Sequence, residues 1–110
     1  MKRLLHVTAL VLCVALAAAA AGNVRGQLLR RGPQGIYPAS GIAVTVYAEQ
    51  RGRSQAGYSG SDGMYYLYNI PAGEYFLEIW AHGFNQRPLV YQIVVTDQRQ
   101  FTDVAPVTVP

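Results

Sequence analysis

Five side chains near the middle of the chain have the types that contact sugars or protein surfaces. They are spaced two residues apart along two predicted strands, residues 64–70 and 74–81: Tyr66, Tyr68, Phe76, Glu78 and Trp80. Aromatic rings supply a large apolar area at a small entropy cost, and Tyr and Trp also carry a polar group. If the two strands pair as a hairpin across residues 71–73, all five side chains lie on the face away from the core. The pattern therefore predicts a ligand-binding surface.

The same pattern also has ordinary structural explanations. A loop, a neighbouring strand or a second sheet can cover outward aromatic residues. A register shift of one residue at the turn would reverse which side chains face outward. A contiguous apolar patch that stays exposed is instead typical of an interaction surface. Both interpretations are open from the sequence alone.

No group of residues has the composition of a catalytic or metal site. His82 is the one histidine in residues 22–110, which contain neither cysteine nor lysine. A zinc site needs three or four ligands, and a nucleophilic Ser or Thr needs an oriented base. Glu49 and Glu74 are dispersed along the chain, and Asp62 is expected to cap its own turn. We therefore predict a protein that is not an enzyme and holds no metal and no cofactor.

The first 21 residues have the organisation of an export signal. Lys2 and Arg3 precede an apolar run, and small residues follow at positions 18–21. The predicted organisation is a signal peptide over residues 1–21 and one domain over residues 22–110, exported to the periplasm or the extracellular space. The apolar run is at the lower limit for spanning a bilayer. We therefore expect no stable membrane insertion after cleavage.

An alternative for this segment is lipid attachment at Cys13. Leu12 precedes that cysteine where a small residue is expected, and the apolar run continues beyond it. Both features favour cleavage near Gly22 instead.

Removal of the signal peptide changes the charge of the chain. The formal net charge of the whole chain is +3, whereas residues 22–110 contain seven Arg and six acidic residues, so their net charge is 7 − 6 = +1. These residues contain no basic stripe, and nucleic-acid binding is not predicted.

Short alternating apolar runs follow one another to the end of the chain. They predict seven strands, at residues 24–28, 42–49, 56–60, 64–70, 74–81, 89–96 and 101–109, with loops at residues 30–41 and 82–88. In the two central strands the residues expected to face the core are Tyr65, Leu67, Ile70, Tyr75, Leu77 and Ile79. Because no helical period occurs after the signal peptide, the chain is predicted to be an all-β, single seven-stranded sandwich.

Five stretches of the chain resemble the carboxypeptidase regulatory-like domain. They are residues 24–26 (VRG), 41–44 (GIAV), 61–65 (SDGMY), 70–75 (IPAGEY) and 81–84 (AHGF). That family is a seven-stranded prealbumin-like, or transthyretin-like, sandwich related to starch-binding-like and collagen-adhesin B-type modules. The resemblance implies a non-catalytic module, such as an accessory domain of exported peptidases, a leading domain of outer-membrane receptors, or a unit that contacts carbohydrate.

Enzymes with similar folds are not favoured by the residues present. Intradiol dioxygenases hold iron with two Tyr and two His, and hydroxyisourate hydrolases use several His and a Tyr-Arg-Gly-Ser tail. Residues 22–110 have one His and end in Val-Thr-Val-Pro. The lysine of an adhesin-type isopeptide bond is also missing from them.

Two functions are therefore open. The first is an exported binding module whose five outward residues contact a glycan or an envelope or secreted protein. The alternative is a structural or assembly component of a bacterial envelope or secreted complex, in which the same patch is a protein interface or a strand edge accepts another strand.

Overall fold

The computed structural model describes residues 21–96 and 100–110. Within these residues the chain forms ten β-strands and no helix. In chain order they are β1 (Ala21–Gly32), β2 (Gly35–Pro38), β3 (Ala43–Ala48), β4 (Gly52–Arg53), β5 (Gly57–Tyr58), β6 (Met64–Pro71), β7 (Gly73–Trp80), β8 (Leu89–Val95), β9 (Phe101–Asp103) and β10 (Val107–Val109). The predicted all-β class is confirmed, but the count of seven strands is not.

Three segments account for the additional strands. Residues 30–41, predicted to be a loop, extend β1 and return along it as β2. Residues 50–55 contain a short strand, β4, that pairs with β3, as does β5, the strand predicted at residues 56–60. The last predicted strand is divided into β9 and β10 on either side of Pro106, because proline has no N–H group to donate within a sheet.

The long strand β1 is the centre of the first sheet, and its two halves have different neighbours. The first half pairs antiparallel with β6 and parallel with β9. The second half pairs antiparallel with β2 and parallel with β10. The second sheet has the order β4-β3-β7-β8, with β5 also on β3. Apolar side chains from both sheets form one core cluster, so the two sheets make a β-sandwich.

The predicted hairpin between β6 and β7 is wrong. β6 pairs with β1 in the first sheet, whereas β7 pairs with β3 and β8 in the second. Only Ala72 lies between the two strands, so the chain changes sheets at this bend. An alternating pattern shows which side chains face a core, but it does not show which sheet holds the strand. Two strands that face each other across the core therefore have the same pattern as a hairpin.

The predicted inward residues of β6 and β7 are all confirmed as core residues. Each is 6% exposed or less: Tyr65, Leu67, Ile70, Tyr75, Leu77 and Ile79. They pack with Val24 and Leu28 of β1 and with Val44 and Val46 of β3. Burying a side chain of this size contributes about 1.5–3 kcal/mol, so this cluster is the main source of stability.

The turn before β6 is attached directly to β1. The Asp62 carboxylate accepts a hydrogen bond from the Met64 backbone N–H at 2.9 Å, which confirms the predicted cap. The Gly63 carbonyl accepts a bond from the Leu28 N–H at 2.8 Å. Gly63 has a φ of +79°, a value that glycine adopts without a steric penalty. The turn therefore sets where β6 begins relative to β1.

The hydroxyl group of Tyr65 is buried without a hydrogen-bond partner among the described residues, and burial raises the pKa of Tyr65. An unpaired buried hydroxyl destabilises the folded state. We therefore expect Tyr65→Phe to leave the free energy of unfolding unchanged or to raise it by about 1 kcal/mol, as measured by urea denaturation.

Tyr75→Phe is the matched control. The Tyr75 hydroxyl donates to the Pro71 carbonyl at 2.6 Å, so its removal is expected to lower the free energy of unfolding by about 1 kcal/mol. Equal losses in the two variants would contradict the interpretation of Tyr65.

The predicted signal peptide and the Cys13 alternative lie outside the described residues. Within residues 21–96 and 100–110, no helix has the length and apolarity needed to cross a membrane.

Candidate functional site

The five residues predicted to form one surface lie on two opposite outer faces of the sandwich. Tyr66 and Tyr68 are on β6 in the first sheet, and the other three are on β7 in the second. Because the inward side chains of β6 and β7 share one core, their outward side chains point in opposite directions. The prediction of one continuous patch is therefore wrong, and each face has to be considered by itself.

The first surface is a group of aromatic and charged side chains across three strands of the first sheet. The rings of Tyr66 and Tyr68 are nearly parallel, with centroids 6.2 Å apart and an interplanar angle of 11°. Phe101 lies 5.8 Å from each of them, at 70°. Such edge-to-face contacts stabilise the positions of the rings. We call this surface the β6 face, and its residues are Arg25, Tyr66, Tyr68, Phe101 and Asp103.

The two tyrosines of the β6 face are accessible to a ligand. Tyr66 is 40% exposed and Tyr68 is 59% exposed. Phe101 is half-buried beside them. The arrangement therefore combines two accessible rings on β6 with one supporting ring, Phe101, on β9.

A β-bulge lies within the β6 face. Tyr68 and Asn69 of β6 stand opposite the single residue Asn23 of β1, where the register shifts. Asn69 has a φ of 57°, and it is the one non-glycine residue with a positive φ in the described part of the chain. The Asn69 N–H donates to the Asn23 side chain at 3.1 Å. Bulges redirect side chains and are frequent beside functional sites.

An ion pair flanks the aromatic rings of the β6 face. Arg25 donates to the Asp103 carboxylate, and its guanidinium lies 4.7 Å from the Phe101 ring centroid. The hydrogen bond from Arg25 lowers the pKa of Asp103, so the carboxylate stays charged well into the acidic range. Both side chains are exposed, and their polar atoms are accessible to a ligand bound on the tyrosines.

The second surface lies on β7. It differs from the β6 face because its carboxylate, that of Glu78, is already hydrogen-bonded to neighbouring side chains. Glu78 is only 7% exposed although it points away from the core. It accepts a hydrogen bond from the Thr45 hydroxyl at 2.8 Å and two from the Arg53 guanidinium at 2.6 and 2.9 Å. These bonds, chiefly those from Arg53, lower the pKa of Glu78, while burial opposes the shift. Glu78 thus links β7 to β3 and β4 within the second sheet.

Aromatic rings complete this second surface. The Trp80 indole N–H donates to the Thr45 hydroxyl at 2.8 Å. Its ring lies 5.1 Å from Phe84, and the Arg53 guanidinium lies 5.5 Å from Trp80 and 5.2 Å from Tyr47. We call this surface the β7 face, and its residues are Thr45, Tyr47, Arg53, Phe76, Glu78, Trp80 and Phe84.

The two faces therefore differ in what they can offer a ligand. On the β7 face the indole N–H and the carboxylate are already paired, although the rings of Phe76 and Phe84 are 44% and 56% exposed. On the β6 face the two tyrosine rings and the ion pair are accessible. The geometry favours the β6 face as the binding surface.

Sequence reasoning missed the partners that complete each face. Alternation places Arg25 and Thr45 on the outward sides of their strands, so this signal is present in the sequence. The positions of Phe101 and Arg53 could not be predicted from alternation. β9 reaches β1 from a distant part of the chain, and β4 is only two residues long.

His82 is exposed in the connection after β7. Among residues 21–96 and 100–110, no three His, Cys, Asp or Glu side chains are grouped to hold a metal ion.

Comparison with known proteins shows the fold. No protein-family profile matches the chain, and no curated protein shows significant sequence similarity to it. The structure is similar to that of a minor pilin of Streptococcus agalactiae, with a TM-score of 0.54 and 11% identity over 83% of this chain and 46% of the pilin. It is also similar to a candidate carbohydrate-binding protein of Pseudomonas aeruginosa, with a TM-score of 0.54 and 14% identity over 80% of this chain and 88% of that protein.

One structural neighbour is an enzyme. An (S)-allantoin synthase has a TM-score of 0.51 and 13% identity over 80% of this chain and 42% of the enzyme. The chain thus spans less than half the length of the pilin and of the synthase. Proteins with different roles share this architecture, and similarity at this identity shows the fold alone: the chain has a β-sandwich fold in common with these proteins.

Proposed function

We propose that this protein is an exported, non-catalytic binding module of the carboxypeptidase regulatory-like type, and that its β6 face contacts a glycan. The observation that carries the proposal is the pair of exposed, nearly parallel rings of Tyr66 and Tyr68, supported by Phe101 and flanked by an ion pair.

The chemistry of a sugar matches this surface. The C–H groups on one side of a pyranose ring pack against aromatic rings, and the surrounding hydroxyl groups need donors and acceptors. Arg25 supplies donors, Asp103 supplies acceptors, and the two tyrosine hydroxyls supply both. Two rings with centroids 6.2 Å apart suit a ligand with repeating units better than a single small sugar.

The test is a calorimetric titration of the exported, processed protein with a panel of neutral and acidic oligosaccharides. Tyr68→Ala is expected to weaken the affinity at least about tenfold, since it removes a central aromatic contact. Tyr58→Ala is the matched control, because Tyr58 is equally exposed, at 61% against 59%, but belongs to the second sheet. Equal losses in both variants, or no binding to any glycan in the panel, would contradict the proposal.

Trp80 supplies an independent readout in the same titration. It lies on the β7 face, so its fluorescence is expected to stay unchanged when a glycan binds to the β6 face. A saturable change that Phe76→Ala abolishes would move the binding surface to the β7 face. Mass spectrometry of the same sample reads the N-terminus and tests cleavage near Gly22.

The second candidate function is assembly into an envelope or secreted complex. The observation that favours it is β8, an uncharged edge strand with exposed apolar side chains. Such an edge can accept a strand from another chain.

A further inference from the structure

One strand of the second sheet has an open edge. β8 pairs with β7 along all seven of its residues, and no strand among the described residues pairs with its other side. Soluble proteins usually protect such edges with charges, proline, a bulge or very short length. β8 has the sequence LVYQIVV, with no charged residue and no proline, and its register with β7 is regular.

Two other edge strands, β4 and β2, are protected in ways that β8 is not. β4 is two residues long and contains Arg53. β2 is four residues long and ends in Pro38. The lack of protection therefore distinguishes β8 from these two edges.

The direction of the free backbone groups follows from the hydrogen bonds. The Val94 carbonyl accepts a weak bond from the Thr102 hydroxyl, at 3.5 Å, and so points away from β7. Since backbone groups alternate along a strand, Val90 and Gln92 also present their N–H and C=O groups at the open edge. The edge thus offers unpaired donor and acceptor sets at Val90 and Gln92, whereas the Val94 carbonyl already accepts the weak bond from Thr102.

The side chains beside this edge are apolar and exposed on both faces of the sheet. Val90 and Val94 on the outer face are 52% and 58% exposed. Tyr91 points to the core side but is still 42% exposed, because an open groove of about 570 Å³ separates β8 from residues 102–108. The groove also includes Ile93 and Val107. The core of the sandwich is therefore incompletely covered here.

The sequence of β8 is complementary to itself in antiparallel pairing. Centring the pairing on Gln92 aligns all seven residues of both copies and places their outward backbone sets opposite each other. Val90 then faces Val94 of the second copy, and Tyr91 faces Ile93. The two Gln92 amides meet at the two-fold axis, where each can donate to the other. No like charges come together, so electrostatics do not oppose the pairing.

We propose that a second copy of this chain pairs with β8, joining the two second sheets into one continuous sheet across a two-fold axis. This inference rests on the assembly function above and names its partner and surface. The second copy pairs with the outward backbone groups of Val90, Gln92 and Val94, where the Val94 carbonyl accepts a second bond beside the one from Thr102, and its Tyr91 covers the open groove. Isologous two-fold contacts are the commonest way in which soluble proteins form oligomers.

The test introduces a charged side chain at position 92, which lies on the proposed two-fold axis. Gln92 is exposed, so Gln92→Lys and Gln92→Glu are expected to fold normally, which circular dichroism and the melting temperature check. Each variant alone places two like charges opposite each other, and its dimer dissociation constant is expected to rise at least about tenfold. An equimolar mixture of the two variants is expected to restore the dimer as a heterodimer. Sedimentation equilibrium of the processed protein over a wide concentration range measures each case.

Gln86→Lys and Gln86→Glu are the matched controls, because Gln86 is an exposed glutamine in the loop before β8. They are expected to dimerise like the unchanged protein. A protein that is monomeric at every concentration would overturn the inference. Self-association that is insensitive to the Gln92 charges would overturn the β8 interface but leave an assembly function standing.

Discussion

Gly63→Ala is expected to lower the free energy of unfolding by about 2–5 kcal/mol. Gly63 has a φ of +79°, and a side chain in that conformation costs about 1–2 kcal/mol. An added Cβ would also press on the Leu28 backbone carbonyl. Backbone shifts forced by such overpacking typically cost about 1–3 kcal/mol more. Against a total stability of about 5–15 kcal/mol, this loss would leave much of the protein unfolded at moderate urea concentrations.

Gly83→Ala separates the cost of a side chain at positive φ from the cost of the close contact with the Leu28 carbonyl. Gly83 has a similar φ of +84°, but the space around it is open, so only the conformational cost of about 1–2 kcal/mol applies. The measurement is the difference in midpoint between the two variants in urea denaturation. If the two variants lost equal stability, β1 would tolerate the added methyl group, and the close contact between the turn and β1 would not be important for the fold.

Glu78→Ala is expected to lower the free energy of unfolding by about 2–3 kcal/mol. The substitution removes the acceptor of three hydrogen bonds, two of them from a guanidinium group, and hydrogen bonds to charged groups contribute about 1.5–3 kcal/mol. Arg53 is partly exposed and can be solvated after the loss, which keeps the effect below that of a fully buried ion pair. Glu74→Ala is the control, because Glu74 lies on the same side of β7 as Glu78 but is exposed. Its expected change in the free energy of unfolding is within about 0.5 kcal/mol.

The same carboxylate predicts a pH dependence. The pKa of Glu78 is lower in the folded protein than its ordinary value of 4.5. The folded state therefore binds this proton less readily than the unfolded state does, and the stabilisation by Glu78 is complete above pH 4.5. It is lost as the pH falls through the lower pKa of the folded protein.

Glu78→Gln isolates this effect from Asp103, whose pKa is also lowered. The difference in stability between the unchanged protein and Glu78→Gln is expected to be constant above pH 5 and to shrink progressively below pH 4.5. Thermal unfolding at a series of pH values measures it. A difference that does not change with pH in the acidic range would show that Glu78 is not held by Arg53 in solution.

Glu78 also illustrates why an outward position on a strand does not by itself identify a binding residue. Its alternation with Leu77 and Ile79 correctly places it on the outer side of β7. Its hydrogen bonds to Thr45 and Arg53, however, come from strands 33 and 25 residues earlier in the chain. Whether an outward polar side chain is free or engaged depends on these partners, and only the register between strands brings them together.

The sequence by itself determined the all-β class, the inward residues of β6 and β7, and the capped turn at Asp62. These features depend on local chemistry, because side chains alternate along a strand and a turn needs particular residues. Tyr66 and Tyr68 were also placed correctly on the outward side of β6.

Only the tertiary structure decided which of these side chains are neighbours. β6 and β7 follow each other with one residue between them, yet they belong to different sheets. That change of sheet separates Tyr66 and Tyr68 from Trp80 and brings Phe101 beside the two tyrosines instead. The physical reason is that alternation reports the side of a strand that meets a core, whereas strand pairing depends on the packing of distant segments. The composition of the proposed binding surface is therefore a property of the sheet topology.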